Sequence, residues 1–266
     1  MPRKAKRVVV IGDMHCGHRV GLTPPEWQLN PNNEFDAKFL QIQKQQWEWY
    51  RRKLSALQPI DLLLVMGDCV DGVSFKAESR DTIRRKRREQ VDMAITCIDL
   101  AKAANISMVY GTRYHVTDWE EDVCSALGDK AMIGAHEWPQ VHGVIFDVKH
   151  KVGGSQAAEH TRLTAIMREQ QWNSLWAEAQ RQPKGDFILR GHVHYHRAGK
   201  RMIGEKAVWA ITCPALQGVG TEFGAEQCSG TVDFGLLQFD VSPSGDVAWR
   251  EHVVVLESHY AKVTEY

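Results

Sequence analysis

Short apolar runs alternate with longer amphipathic stretches along this chain. Residues 8–11, 62–66, 106–110 and 187–189 are runs rich in Val, Ile and Leu. Their brevity and β-branching predict strands buried on both faces. Between them, residues 35–57, 82–104 and 161–180 space their apolar side chains as helices do, with Gln, Lys, Arg and Glu between. Strand and helix alternate, which predicts an α/β layered fold. Residues 20–33 break the rhythm with Pro and Asn and read as a long loop. Residues 136–152 and 206–255 read as hairpins, with Pro243-Ser244-Gly245-Asp246 as a turn signal. No repeat or linker interrupts residues 1–266, so one domain is expected.

Polar residues gather where the strands end. Asp13 and His15 follow the first run in Gly12-Asp13-Met14-His15. Asp68 follows the second in Gly67-Asp68-Cys69-Val70-Asp71. Thr112 and His115 follow the third, and His192 and His194 the fourth. In the strand around Val144, Phe146 and Val148, alternation puts His150 on the apolar face. Ligands of α/β sheets collect beyond the carboxyl ends of the strands. Carboxylate and imidazole together suit Mn, Fe, Zn or Co rather than Mg or Ca. Taken singly, a Gly-Asp after a strand is an ordinary turn, and His150 an ordinary core histidine. Together, in one order, they predict a metal site.

Composition narrows the rest. With 43% hydrophobic residues the chain can bury a core, and its net charge of +0 gives no overall attraction to polyanions. Any such binding must come from a local patch. The run Arg84-Arg85-Lys86-Arg87-Arg88 is either a solvated helix face or a phosphate-tracking patch. Trp27 either stacks on a base or packs its loop, whereas Trp47 and Trp49 read as core or interface. No apolar run is long enough to span a bilayer. The 6 cysteines form no C-x-x-C pair. A reduced, cytoplasmic setting is therefore expected. Cys16 and Cys69, inside the motifs, read as small residues in tight turns.

The motif set resembles the calcineurin-like metallophosphoesterases. Their pattern runs Asp-x-His, Gly-Asp-x-x-Asp, Gly-Asn-His, a lone His, then Gly-His-x-His. Four of the five elements are present, from Asp13 to His194. The resemblance implies a sandwich of two β-sheets flanked by helices, and two divalent transition-metal ions, Mn foremost, with Fe, Zn, Co or Ni as alternatives. It implies that Asp13, His15, Asp68 and His194 hold one ion, and that Asp68 bridges to a second held by His150 and His192. Thr112 replaces the asparagine that would ligate the second ion, and His115, two places late, takes the histidine's role as proton donor. Asp118 either orients His115 or caps the helix at 119–127. Arg113 and Arg190 are candidates for neutralising phosphoryl charge. The implied activity is hydrolysis of a phosphate ester by hydroxide made at the metals, on a nucleic acid or nucleotide. Two alternatives stay open. One is a phosphomonoesterase or protein phosphatase, disfavoured because Gly72-Val73 stands where phosphatases carry Arg-Gly. The other is an inactive binding module, suggested by Thr112.

Overall fold

The computed structural model describes residues 4–73, 81–113, 118–153, 161–219 and 232–257. Two sheets lie face to face. The first has strands β1 (Lys6–Ile11), β2 (Leu62–Val65), β3 (Asn105–Val109) and β4 (Ala131–Gly134) in parallel. β10 (Phe234–Val241) and β11 (Val247–Val254) add antiparallel on the β1 side. The second runs β5-β6-β7-β9-β8, built from β5 (Gln140–Val141), β6 (Val144–Lys149), β7 (Phe187–Arg190), β8 (Arg197–Ile203) and β9 (Lys206–Thr212). In it β6, β7 and β9 are parallel, and the hairpin partners β5 and β8 are antiparallel.

Alternation along each strand divides the core. On β1, Val8 and Val10 face the second sheet, meeting Phe146, Val148, Phe187 and Leu189. Val9 and Ile11 face the opposite way, towards α1 (Glu34–Ala56), α2 (Arg87–Asp99) and α3 (Trp119–Leu127). Ile188, Val208 and Ala210 on the outer face of the second sheet pack on Ile166 of α4 (Arg162–Glu178). Helices, sheet, sheet, helix thus make four layers, and both faces of the central strands are covered. That is why their sequences read as unbroken apolar runs. Between the sheets, Phe146, Phe187 and Phe239 meet with ring centroids 5.0–5.5 Å apart. Each such buried ring contributes about 1.5–3 kcal/mol.

The expected elements shift at their ends. The second helix begins at Arg87 rather than at 82, so the basic run straddles its start, with Arg84, Arg85 and Lys86 before it and Arg87 and Arg88 in its first turn. Trp27 lies in a short 3-10 turn and, with Trp47 and Trp49, packs against the core. Among the described residues, Cys16, Cys69, Cys97, Cys124 and Cys213 are free and buried, and no helix is long and apolar enough to cross a membrane.

Candidate metal centre

The parallel strands β1, β2 and β3 of one sheet and β6 and β7 of the other end at the same edge of the sandwich. Asp13 and His15 lie just past β1, Asp68 past β2, Thr112 past β3, His150 past β6, and His192 and His194 past β7. Their ligating atoms form two compact groups. Asp13, His15 and His194 make one, and Asp68, His150 and His192 the other, each within 4.8 Å. In the first, His194 Nε2 is 3.2 Å from Asp13 Oδ1 and 3.3 Å from His15 Nε2. In the second, His150 Nε2 is 3.1 Å from Asp68 Oδ2. Asp68 Oδ2 also lies 3.9 Å from His15 Nε2, so this carboxylate sits between the groups.

The backbone is contorted to achieve this. Asp13, His15, Asp68, His192 and His194 all have φ between +44° and +73°. Side chains rarely adopt that region, which costs of order 1–3 kcal/mol a residue and collects at functional sites. Gly67, at φ +86°, sits so close to the neighbouring strand end that an added Cβ would lie 2.7 Å from Gly111 Cα. A Cβ on Gly111 would overlap the Asp68 carboxylate.

Supporting contacts fix the rings. His150 Nδ1 donates to the Met66 carbonyl at 2.6 Å, which leaves Nε2 as its ligand atom. His15 Nδ1 lies 3.4 Å from Asp71 Oδ1, and Asp71 in turn accepts from the Thr82 hydroxyl. The His192 amide donates to both Asp13 carboxylate oxygens at 3.2 Å, joining the two sheets across the site. Thr112 is fully drawn in. Its amide donates to Asp68 Oδ1 at 2.6 Å, and its hydroxyl is 3.1 Å from His150 Nε2 and 3.2 Å from His192 Nδ1.

The charges are those of a cation site. Burial opposes ionisation of Asp13 and Asp68, yet His194 holds the first and His150 the second below the usual carboxylate range. Burial likewise opposes a charged His150, but Asp68 pulls it up to about 9. His192 is pushed down by burial and by His150. Imidazole nitrogens and carboxylate oxygens converging at 3.1–3.3 Å suit borderline transition metals. The residues therefore fit the ions that the resemblance implies.

Three expectations change. Arg190 does not face the site. It is 2% exposed, and its guanidinium binds Asp147 at 2.7 Å and Glu169 at 3.0 Å beneath the second sheet. The side chain alternates to the outer face of the second sheet, towards α4, because its neighbour Leu189 fills the space between the sheets. Asp118 occupies the cap position of α3 without making a side-chain cap bond. Its carboxylate accepts from Arg87 at 2.9 Å instead. The basic run is engaged in part. Arg84 donates to the Trp27 carbonyl, Arg87 pairs with Asp118 and Asp122, and Arg88 lies 3.8 Å from Asp92. Arg113 is exposed next to Thr112. His115 lies outside the described residues.

Sequence reasoning passed over two carboxylates. Asp71 belongs to the Gly-Asp-x-x-Asp motif and was legible by that spacing. Glu120 carried no such signal. It is 0% exposed on α3 and accepts from the amides of Cys69, at 2.9 Å, and Gly111, at 2.6 Å. Burial pushes its carboxyl up to about 7 despite those bonds.

No protein-family model and no curated protein matches the sequence. Solved structures match at low similarity. An archaeal phosphodiesterase is 13% identical with a TM-score of 0.41, over 93% of this chain and 99% of that one. A Thermotoga maritima protein is 15% identical with a TM-score of 0.42, over 94% and 99%. An NAD nucleotidase from Haemophilus influenzae is 12% identical with a TM-score of 0.42, over 99% of this chain but 54% of its own length. On its own residues, the chain resembles the calcineurin-like metallophosphoesterases in the order of its strand-end motifs and in a two-sheet sandwich flanked by helices.

Proposed function

We propose that this chain hydrolyses phosphate esters at a dinuclear metal centre. The observation that carries the reading is the pair of Asp/His groups set side by side by separate strand ends, most of their residues in a strained backbone conformation. Asp13, His15 and His194 would hold one ion, and His150, His192 and Thr112 the other, with Asp68 shared. Bound there, divalent ions would supply Lewis-acid charge to the phosphoryl oxygens and acidify the attacking water. The chain's own part is to present lone pairs in a fixed array. His150 is locked by Met66, His15 is braced by Asp71, and Asp13 is anchored by the His192 amide. Exposed Arg113, next to Thr112 in the chain, would offset phosphoryl charge. Proton donation to the leaving oxygen falls to His115, on its place in the sequence. Asp118, bound to Arg87, would orient His115.

Phosphodiesters of nucleic acids or nucleotides are the substrate class to examine first. A membrane partner is not expected. In the test, metal-free protein is titrated with Mn²⁺, and its turnover is measured on aryl phosphate monoesters and diesters, nucleotides, and single- and double-stranded nucleic acid. Two ions per chain and diester turnover are expected. Fewer than two ions at saturation would defeat the dinuclear reading. Two ions with no turnover on any ester would favour a binding module of the same fold.

A further inference from the structure

We propose that Glu120 is a positioning residue that clamps the Asp68 and Thr112 strand ends together and so sets the second ion group. The proposal rests on the metal reading above. Glu120 opens an i, i+3, i+4, i+7 stripe on α3 whose other members, Val123, Cys124 and Leu127, pack into the core. An acid at such a position costs free energy unless its oxygens are used. Both are. Oε1 accepts from the amide just after Asp68, and Oε2 from the amide just before Thr112. Neighbouring Glu121 and Asp122 instead bind Tyr110 and Arg87 at the exposed side.

The need for a clamp follows from the sheet. β2 and β3 pair in parallel only as far as Val65 with Met108. Beyond that point the ladder between the two strands stops: the Asp68 segment is still bonded on its other side to the β1 end, through Asp13, His15 and Cys16, but no strand register joins it to the segment carrying Thr112. Two ties replace it. On the site side, the Thr112 amide and hydroxyl bind Asp68. On the far side, the Glu120 carboxylate spans the two backbones. Only a carboxylate does this, because both contacts need an acceptor. A glutamine of the same shape would turn one NH₂ towards a backbone N–H.

The test compares the full-length wild type with Glu120→Gln and Glu120→Ala. Mn²⁺ binding is followed by calorimetry and folding by circular dichroism. In folded Glu120→Gln, at least one binding step should fall by about 10–100-fold, the usual effect of losing a ligand's support. Two unchanged steps in the folded variant would overturn the proposal. Amide hydrogen exchange on metal-free wild type gives a second measurement that needs no variant. The Cys69 and Gly111 amides should exchange as slowly as those of β2 and β3, and exchange at the rate of exposed amides would overturn the clamp. A wild type that binds no Mn²⁺ would defeat the metal reading, whereas amide protection would still judge the clamp.

Discussion

Replacing Arg190 separates a structural arginine from one that binds substrate. Its Nη1 donates to Asp147 Oδ1 at 2.7 Å and to the carbonyls of Asp147 and Leu189 at 2.9 and 2.8 Å, and its Nε donates to Glu169 at 3.0 Å. Asp147 is 0% exposed, so Arg190→Met strands a buried carboxylate beside an apolar chain. Removing one partner of a buried pair costs about 3–5 kcal/mol. Asp147 keeps His136 at 2.8 Å and the Asn173 amide at 2.6 Å, which places the expected loss at the low end, about 3 kcal/mol. In urea that lowers the midpoint by roughly 1 M, for a slope near 3 kcal/mol per M. By heat it lowers Tm by roughly 6–12 °C. Adding Asp147→Asn removes the stranded charge and should recover part of the loss, with a coupling of about 1–3 kcal/mol. Phosphoesterase kcat/KM, measured well below the transition, should change by much less than a substrate-binding arginine would demand. Unchanged stability with a selective rise in KM for charged esters would refute this placement of Arg190.

Asp68→Asn should lower kcat more than Ala at any one of His15, His150, His192 or His194, because Asp68 lies against both groups and anchors Thr112. Steady-state kinetics on one aryl diester across the set checks the ranking. His115→Ala should reduce kcat by ~10²–10⁴, less for esters with good leaving groups, while metal content by elemental analysis stays intact. Loss of an ion would make His115 a ligand instead. Acid stability should carry the mark of Asp147. Burial opposes its ionisation, but hydrogen bonding to His136 and the charge of Arg190 hold its carboxyl at about 2. A depressed acid stabilises the fold above its unfolded value and loses that contribution as pH falls through the folded one. Stability should therefore drop by about 2 kcal/mol between pH 4 and 2, and Asp147→Asn should flatten that drop in pH-dependent urea unfolding.

The sequence alone determined the layered architecture and the chemistry of the strand ends. Apolar runs at 8–11, 62–66, 106–110 and 187–189 could be read because strands covered on both faces need apolar side chains at every position. Asp-x-His and His-x-His could be read because they are local, with both members in one turn. The tertiary structure alone decided which of these ends meet. Asp13 and His194 are 181 residues apart in sequence, and they meet at 3.2 Å only because β1 and β7 end at the same edge of facing sheets. It also decided the direction of individual side chains. Arg190 looks like its neighbours in a motif, yet strand alternation turns it into the charge network of Asp147 and Glu169. Arg84 and Arg87 look like a patch until Trp27, Asp118 and Asp122 are brought against them. Glu120 is the sharpest case. Its partners are backbone amides 51 and 9 residues away, and a backbone amide has no residue type by which a sequence could announce it.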